Sequence, residues 1–430
     1  MAKVGDRVKV QSSGADYEGA VIPYSGKQKD ILMIKLNSGY NVGVKIDKNT
    51  KVSVIGESPG AEASQPVKYS HKPGLPHVTL IATGGTIGSK VDYKTGAVHM
   101  LMSPEELIAN IPELTEIINL KKILRPFSLA SEDMSSAEWQ KIAEEVEKEL
   151  NAGADGIIVT HGTDTLHYTA SALSFMLKNL GKPVALVGGQ RSSDRGSFDG
   201  AMNLICAAHY CKSNIAEVAI IMHAEPSDSY CFAIRGTKAR KMHTSRRDAF
   251  RPINDLPFAK IWKDGKIEII NKNLRERKDG KVSVEGKFEN KIALLKYFPG
   301  ADPEILNYFV KEKYKGIIIE ATGLGHVATQ PLNKKNSWLE AIKNAVAKGI
   351  LVCFAPQALY GRLDPFVYSN ARILHDLGVI YLQDMLPETA YVKLGHVLAY
   401  EKHIEQAKKM MLANVAGEIN DKIPEESFLY

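Results

Sequence analysis

The chain has 430 residues, of which 44% are hydrophobic and 24% are charged, with 34 glycines and 19 prolines. This composition is that of a globular protein and excludes disordered and collagen-like chains. The net charge of +6 is a mild excess, which permits an RNA partner without arguing for one.

No apolar run approaches the ~18 residues of a membrane helix, and the first residues lack the apolar region of a signal peptide. The four cysteines include no CxxC pair, so neither a disulfide framework nor a structural zinc site is expected. We therefore expect a cytoplasmic protein with no membrane contact and no DNA partner.

The first 56 residues predict a small all-β domain. Short strand-like runs alternate with turns of the Ser-Gly type, and they lie at residues 7–11, 18–23, 31–36, 40–46 and 51–55. Five strands in residues 1–56 predict a small barrel of the SH3 type, which either docks a protein or RNA or only stabilises the chain. Residues 57–76 are rich in Pro, Gly, Ser and Ala and predict a linker.

From residue 77 onward, apolar runs of strand length alternate with segments of helical periodicity. The runs lie at residues 78–82, 156–160, 183–187, 217–222, 316–320 and 349–354. Helices are predicted at residues 135–150, opening with the capping box Ser135-Ser-Ala-Glu138, and at residues 164–180. The alternation predicts an α/β fold whose parallel, Rossmann-like sheets are covered on both faces.

We expect this α/β core to form two lobes, residues 77–288 and 289–430. Asp-Gly turns at residues 263–266 and 278–281 predict hairpins between them. An amphipathic helix over residues 398–416 is expected to close the chain.

Small, hydroxyl-bearing or charged residues follow several of the predicted strands. Open α/β sheets bind ligands beyond the carboxyl ends of their strands, so this convergence predicts a site. The loop Thr83-Gly-Gly-Thr86 suits an oxyanion hole beside a nucleophile, but it also suits a phosphate site or a structural tight turn. The segment His161-Gly-Thr-Asp-Thr165 adds a carboxylate and hydroxyls, whose simplest role is to cap the following helix.

A basic stretch at residues 235–251 holds seven lysines and arginines and one acidic residue. Such a run is usually a solvated face, but it could also form a tRNA-facing patch or supply a desolvated lysine as the base for a hydroxyl nucleophile. His161 and His326 lack the spacing of metal ligands and are expected to be hydrogen-bonded structural residues. Cys206 and Cys211 are expected in the core.

Two motifs together resemble the signatures of the L-asparaginase family. They are Leu80-Ile-Ala-Thr-Gly-Gly-Thr-Ile87 and Thr160-His-Gly-Thr-Asp-Thr165. The resemblance continues through Val187-Gly-Gly-Gln-Arg191, Tyr360-Gly-Arg362 and the segment from Asp384 to Leu394, and it covers about residues 77–398. The barrel and linker in front of this core resemble the archaeal branch of the family that serves translation, as part of a tRNA-dependent amidotransferase.

The resemblance implies two sets of site residues. The catalytic set is Thr86, Thr163, Asp164 and Lys241. The substrate-binding set is Tyr93, from the family's mobile loop, with Ser131 and Glu132, which grip the α-amino and α-carboxyl groups. Lys238 and Arg240 are close enough to Lys241 to compete for its alignment. Glu132 stands where many asparaginases have Gln, which leaves the choice between Asn and Gln as substrate open.

The implied chemistry is amide hydrolysis through an acyl-enzyme. Thr86 or Thr163 attacks the side-chain amide, Lys241 held by Asp164 takes the proton, and backbone N–H groups of the glycine loop bind the oxyanion. The sequence does not decide which threonine forms the acyl-enzyme.

The resemblance also implies partners. Ammonia would pass to the E subunit of the amidotransferase, which uses ATP and Mg²⁺ to convert Glu-tRNA(Gln) into Gln-tRNA(Gln), while this chain holds no cofactor and no metal. A homodimer core within a two-plus-two heterotetramer is expected. Two alternatives stay open: a free-standing L-asparaginase or glutaminase, and a non-catalytic module that binds RNA or protein. The barrel, linker and basic loops favour the amidotransferase, and the intact catalytic set argues against a binding module.

Overall fold

The computed structural model describes residues 2–12, 15–24, 30–36, 41–57, 72–85, 87, 90–91, 98–99, 111–191 and 197–430. Thr86, Tyr93 and most of the predicted linker, at residues 58–71, lie outside these ranges. Within the described ranges no helix is long and apolar enough to cross a membrane.

The N-terminal domain is a five-stranded antiparallel sheet. Its strands lie side by side in the order Asn41–Lys45, Ile31–Leu36, Ala15–Val21, Asp6–Ser12 and Lys51–Glu57. Because side chains alternate between the faces of a strand, one face can bury apolar residues while the other meets water. The buried residues form a small separate core of Val8, Val10, Val21, Ile34 and Val44. This domain has the barrel-like all-β character that the sequence predicts.

A sheet of eight strands forms the first lobe. The strands lie in the order Ile267–Ile269, Ala259–Trp262, Tyr230–Arg235, Val218–His223, Val184–Val187, Gly156–Thr160, His77–Ala82 and Asn119–Leu124. The last five in this order are parallel, and the first three continue the sheet antiparallel at one edge. Helices Ser136–Asn151 and Leu166–Met176 cover one face, and helix Gly200–Lys212 covers the other. The expected parallel core is present within a mixed sheet.

The second lobe contains a sheet of four parallel strands. They lie in the order Ile292–Lys296, Gly316–Ala321, Leu351–Pro356 and Ile380–Tyr381. One face is covered by the helices Glu304–Lys311, Trp338–Ala347 and Ser369–Asp376. The other is covered by the helices Pro387–Tyr400 and Ile404–Leu412. Helix Pro387–Tyr400 also packs along Leu166–Met176, so it joins the second lobe to the first.

Smaller elements complete the described fold. They are the short helix Leu114–Ile117 and the strand pairs Lys90–Val91 with Val98–His99, Leu177–Lys178 with Ser283–Val284, and Ala239–Lys241 with Phe250–Pro252. All four cysteines are free and buried, including Cys206 and Cys211, as expected for core residues.

One of the two predicted Asp-Gly hairpins is present. The turn at residues 263–266 joins strands Ala259–Trp262 and Ile267–Ile269, which pair antiparallel. The hairpin predicted at residues 278–281 is wrong, because the strand that follows, Ser283–Val284, pairs with Leu177–Lys178 instead. A turn signal is local, whereas the partner of a strand is chosen by the surrounding fold.

The helix predicted over residues 398–416 is present only in part, because Ile404–Leu412 is helical and the segment before it belongs to another helix. The structure has two helices, Pro387–Tyr400 and Ile404–Leu412, separated by residues 401–403. The first begins with a proline, which favours the first turn of a helix. Its residues from Pro387 to Leu398 are buried almost all round, so no polar stripe marks the helix in the sequence.

Candidate active site

The candidate active site lies at the carboxyl ends of three neighbouring parallel strands. His77–Ala82, Gly156–Thr160 and Val184–Val187 lie side by side in the large sheet. The residues that follow them are joined by backbone hydrogen bonds: the N–H of Thr83 donates to the carbonyl of Thr160 at 3.1 Å, and the N–H of His161 donates to Val187 at 2.9 Å. The loops after these strands therefore meet at one place, as the strand ends predicted.

Glycines allow the loops to touch. Gly85 has a φ of 84°, and a Cβ built on it would lie 2.4 Å from the Cα of Gly162. A Cβ built on Gly162 would in turn lie 2.8 Å from the Cβ of Ser131. No side chain fits at either position without displacing a neighbour. Three separate segments of the chain are thus packed backbone against backbone.

Lys241 reaches this place from a separate two-stranded sheet. Its strand, Ala239–Lys241, pairs antiparallel with Phe250–Pro252. The Nζ of Lys241 donates to Thr163 Oγ1 at 2.9 Å and to Asp164 Oδ1 at 2.6 Å. The lysine side chain is 10% exposed, whereas that of Asp164 is 64% exposed. A hydroxyl, a largely buried amine and a carboxylate therefore form one hydrogen-bonded chain, which is the arrangement that proton transfer from a hydroxyl nucleophile requires.

Lys238 and Arg240, the two other candidates for the position of the catalytic lysine, form ion pairs outside this site. Lys238 is completely buried and pairs with Asp384 at 2.6 Å. Burial lowers the pKa of Lys238, and the charge of Asp384 opposes that shift. Arg240 pairs with Glu388 at 3.1 Å. Of the three, only Lys241 contacts Thr163 and Asp164.

The basic stretch at residues 235–251 is ion-paired along its whole length. The four further cations all have carboxylate partners, in the pairs Arg235–Asp255, Arg246–Asp248, Arg247–Asp228 and Arg251–Asp248. These carboxylates, one within the stretch and two outside it, neutralise the charges. The expectation of a solvated face is wrong for six of the seven cations, whose side chains are at most 26% exposed, and it holds for Arg246, which is 52% exposed. The same neutralisation weakens the expectation of a tRNA-facing patch, because RNA phosphates are bound by cations that are not already paired.

Ser131 and Glu132 lie beside the Gly162 loop in the short 3-10 helix Ser131–Asp133. Ser131 is buried, and its carbonyl accepts a hydrogen bond from the Thr165 hydroxyl at 2.6 Å. The carboxylate of Glu132 is exposed, and its Oε2 lies 3.4 Å from the hydroxyl of Ser131. The structure thus brings Ser131 against the loop that carries Thr163 and Asp164.

Thr86 and Tyr93, the remaining predicted site residues, lie outside the described residues. Thr83, three positions before Thr86, is completely buried, and its hydroxyl donates to the carbonyl of Thr160 at 2.8 Å. This hydroxyl has a structural role.

Thr165 of the segment 161–165 takes the expected N-cap position, but the side-chain capping expected of the segment is wrong. Helix Leu166–Met176 begins two residues after Asp164, with Thr165 at the N-cap position and no side-chain cap. The Asp164 carboxylate pairs with Lys241 instead. A preference for the N-cap position is a local signal, whereas the partner of Asp164 is Lys241, which lies on a strand of another sheet.

Two histidines beneath the site are neutral near pH 7. The Nδ1 of His161 donates to the Gly162 carbonyl at 2.7 Å, and its Nε2 accepts from the Thr169 hydroxyl at 2.8 Å. Burial lowers the pKa of His161 to about 4. Burial, with the charges of Arg240 and Lys241, lowers the pKa of His167 to about 3. The structural role expected for His161 is confirmed. Among the described residues, no group of three or more His, Cys, Asp and Glu side chains could hold a metal ion.

Asp199 is a supporting residue that the sequence analysis missed. Its buried carboxylate accepts the backbone N–H groups of Gln190 and Arg191 at 3.0 and 2.9 Å, and so fixes the loop after strand Val184–Val187. Burial raises the pKa of Asp199, and these two N–H groups oppose the shift. The only sequence signal is an aspartate directly ahead of helix Gly200–Lys212, which indicates a cap and not a loop contact.

Family models match three parts of the chain. The asparaginase N-terminal model matches residues 77–275, the glutaminase/asparaginase C-terminal model matches residues 291–411, and the GatD N-terminal domain model matches residues 2–55. The solved L-asparaginase from Thermococcus kodakarensis has a TM-score of 0.71 to this chain at 27% identity, and the match covers 80% of this chain and 100% of that one. L-asparaginase I from Vibrio cholerae has a TM-score of 0.68 at 30% identity, with 81% of this chain and 100% of that chain covered. The fold and these matches define an asparaginase-type α/β enzyme.

Curated relatives specify the branch within this class. The D subunit of the glutamyl-tRNA(Gln) amidotransferase from Pyrococcus abyssi is 50% identical over 97% of this chain and 94% of that protein. The corresponding D subunit from Methanopyrus kandleri is 44% identical over 97% of this chain and 91% of that protein. The chain belongs to the family formed by the D subunits of glutamyl-tRNA(Gln) amidotransferases.

Proposed function

We propose that this chain is the amide-hydrolysing subunit of a glutamyl-tRNA(Gln) amidotransferase, which releases ammonia from Asn or Gln. The observation that carries the proposal is the contact of Lys241 with Thr163 and Asp164, which lies at the carboxyl ends of the parallel strands in an asparaginase fold. The GatD N-terminal domain in front of that fold supports an amidotransferase rather than a free-standing asparaginase.

The proposed reaction begins with attack of a threonine hydroxyl, from Thr86 or Thr163, on the carbon of the side-chain amide. Lys241 in its neutral form takes the hydroxyl proton, and Asp164 stabilises the ammonium that results. Backbone N–H groups of the glycine loop stabilise the oxyanion of the tetrahedral intermediate. The C–N bond then breaks, the nitrogen takes the proton held by Lys241 and leaves as ammonia, and the acyl group stays on the threonine as an ester. Water hydrolyses the ester and restores the hydroxyl.

Substrate binding is assigned to Tyr93, Ser131 and Glu132. The exposed carboxylate of Glu132 suits the α-ammonium group of an amino acid, because the two charges are opposite. The buried Ser131 beside it sets the distance from this anchor to Thr163 through the contact with Gly162. Either Asn or Gln satisfies this arrangement.

The wider assembly belongs to the same proposal. Ammonia passes to the E subunit of the amidotransferase, which uses ATP and Mg²⁺ to amidate Glu-tRNA(Gln), and this chain itself needs no cofactor. A homodimer of this chain forms the core of a two-plus-two heterotetramer in the cytoplasm. The chain divides at residues 1–56, 57–76, 77–288 and 289–430, with the first segment as an accessory barrel.

The test measures ammonia release from Asn and Gln by the full chain, alone and with the E subunit, ATP and Glu-tRNA(Gln). We expect little release alone and strong release by the assembled enzyme. The Lys241→Met variant should lose about 10²- to 10⁴-fold in rate, which is the usual contribution of a positioned proton-transfer group. Lys263→Met, in the exposed 263–266 turn, is the control and should retain full activity.

Two results would reject the proposal in favour of another function. Fast release that ignores the partner and the tRNA would indicate a free-standing asparaginase or glutaminase. Tight tRNA binding without ammonia release under any condition would indicate a non-catalytic module.

A further inference from the structure

The strand that carries Lys241 presents its basic residues alternately to the two lobes. Successive side chains of a strand point to opposite faces. Lys241 accordingly contacts Thr163 and Asp164 of the first lobe, while Arg240 contacts Glu388 of the second. Lys238, two positions before Arg240, also contacts the second lobe, at Asp384.

A short segment of the second lobe, residues 384–389, accounts for these contacts. Asp384 accepts from Lys238 Nζ at 2.6 Å, and both side chains are completely buried. Glu388 lies four residues later and pairs with Arg240 at 3.1 Å. The hydroxyl of Thr389 donates to the carbonyl of Thr237 at 2.9 Å. Two ion pairs and one hydrogen bond from a side chain to the backbone thus hold residues 237–240 directly before Lys241.

The same segment also supports the other half of the candidate site. Helix Pro387–Tyr400, which starts within it, packs along helix Leu166–Met176, and the latter begins directly after the loop of Thr163 and Asp164. The Ser171 hydroxyl of that helix donates to the carbonyl of Gly236 at 3.1 Å, and its oxygen lies 3.0 Å from the hydroxyl oxygen of Thr389. Helix Pro387–Tyr400 therefore contacts both the helix that follows Thr163 and, through Thr389, the segment that precedes Lys241.

We propose that Asp384 and Glu388 are positioning residues for amide hydrolysis, which act through Lys238 and Arg240 to hold Lys241 against Thr163. This inference rests on the proposed function, because it assigns the proton transfer to Lys241. The physical basis is geometric: a misplacement of about 1 Å in a reacting group can cost about 10²-fold in rate. Ion pairs at Lys238 and Arg240, the first completely buried and the second partly so, restrict such movement, because breaking either leaves a charge without its partner in a largely buried place.

The chain contains a matched control for this inference. Lys393 and Glu418 form a second buried ion pair, also at 2.6 Å, with side chains 2% and 0% exposed. The pair Lys238–Asp384 has the same length, with both side chains 0% exposed. The two pairs differ in place: Lys393–Glu418 contacts neither Lys241 nor Thr163, and it reaches residues 237–240 only indirectly, through Ala416, whose carbonyl accepts from the Thr237 hydroxyl at 2.9 Å. Loss of one carboxylate charge should therefore destabilise the fold similarly in both cases, while only the loss at Asp384 removes an ion pair of residues 237–240.

The experiment compares Asp384→Asn, Glu388→Gln and Glu418→Gln in the full chain assembled with its partner subunit. For each variant, kcat and KM for ammonia release are measured well below its melting temperature, and the melting temperature is recorded. We expect Asp384→Asn and Glu388→Gln to lower kcat roughly 10- to 100-fold, with KM changed less than about threefold. Glu418→Gln should lower the melting temperature as much as Asp384→Asn does and leave kcat within about twofold of the parent chain.

Several outcomes would overturn the inference. A kcat within about twofold of the parent in Glu388→Gln would do so, as would an equal loss of kcat in Glu418→Gln. Glu388→Gln keeps the test valid if Asp384→Asn does not fold, because the Arg240–Glu388 pair is less buried, at 26% and 10% exposure. Lys241→Met separates the two proposals: full activity in that variant rejects the proposed role of Lys241 itself. Loss of activity in Lys241→Met, with unchanged kcat in Glu388→Gln, rejects only the positioning role.

Discussion

Gly162 shows how strongly the candidate site depends on single residues. It lies between Ser131, which belongs to the predicted substrate anchor, and Thr163, and a methyl group on it would lie 2.8 Å from the Ser131 Cβ. We predict that Gly162→Ala displaces Ser131 and raises KM for the amide substrate at least about tenfold, since small shifts in a positioned group have large kinetic effects. Steady-state measurement of ammonia release checks this.

Gly189→Ala is the control for that change. A Cβ on Gly189 would have its nearest neighbour at 3.5 Å, an ordinary contact, so the parent KM is expected. An unchanged KM in Gly162→Ala would mean that Ser131 does not set the position of the substrate.

At the scale of elements, helix Ser136–Asn151 begins with the capping box that the sequence predicts. The Ser135 hydroxyl accepts from the N–H of Ala137, and Glu138 accepts from the N–H of Ser135 at 2.9 Å. We predict that Ser135→Ala lowers the free energy of unfolding by about 1 kcal/mol, the usual contribution of an N-cap side chain. Urea denaturation of the parent and the variant measures the difference.

A second variant tests whether the cap itself is responsible. Glu147→Gln, in the fourth turn of the same helix, keeps a good helix former and should change the unfolding free energy by less than about 0.5 kcal/mol. Equal losses in the two variants would contradict the assignment of the effect to the cap.

At the scale of the whole molecule, buried neutral histidines link stability to pH. Burial lowers the pKa of His161 to about 4, of His167 to about 3 and of His396 to about 4. In the unfolded chain these histidines titrate near 6.5, so below that pH the unfolded state binds more protons than the folded state. We predict that stability is full above about pH 6.5 and falls as the pH drops toward 4. Each histidine contributes up to about 1.4 kcal/mol per pH unit.

Denaturation midpoints at pH 7.5, 6 and 5 measure this dependence. His167→Phe should reduce the change in stability per pH unit by the contribution of one histidine, because a phenyl ring does not titrate. The ring should be accommodated, since the His167 ring packs against Tyr168 and Phe250. A slope that is unchanged in this variant would show that His167 is not neutral in the folded chain.

Much of the architecture could be predicted because it depends on local pattern. The strands near residues 31–36 and 156–160 have their predicted bounds, since apolar runs of strand length between turn residues leave few alternatives. Helix Pro387–Tyr400 could not be found in this way, because burial on nearly all sides removes the periodicity on which prediction depends.

The order of the elements, the two glycine-rich motifs and the residue types that the chemistry needs all follow from the sequence alone. The pairing of these residues in space follows only from the folded chain. Three cations lie within four residues of one another, at Lys238, Arg240 and Lys241, and their charge alone does not distinguish them. Strand alternation and the position of the second lobe send the first two to Asp384 and Glu388 and the third to Thr163 and Asp164. The physical reason is that an ion pair depends on distance in space, and residues separated by about 80 to 150 positions meet only once both lobes have folded.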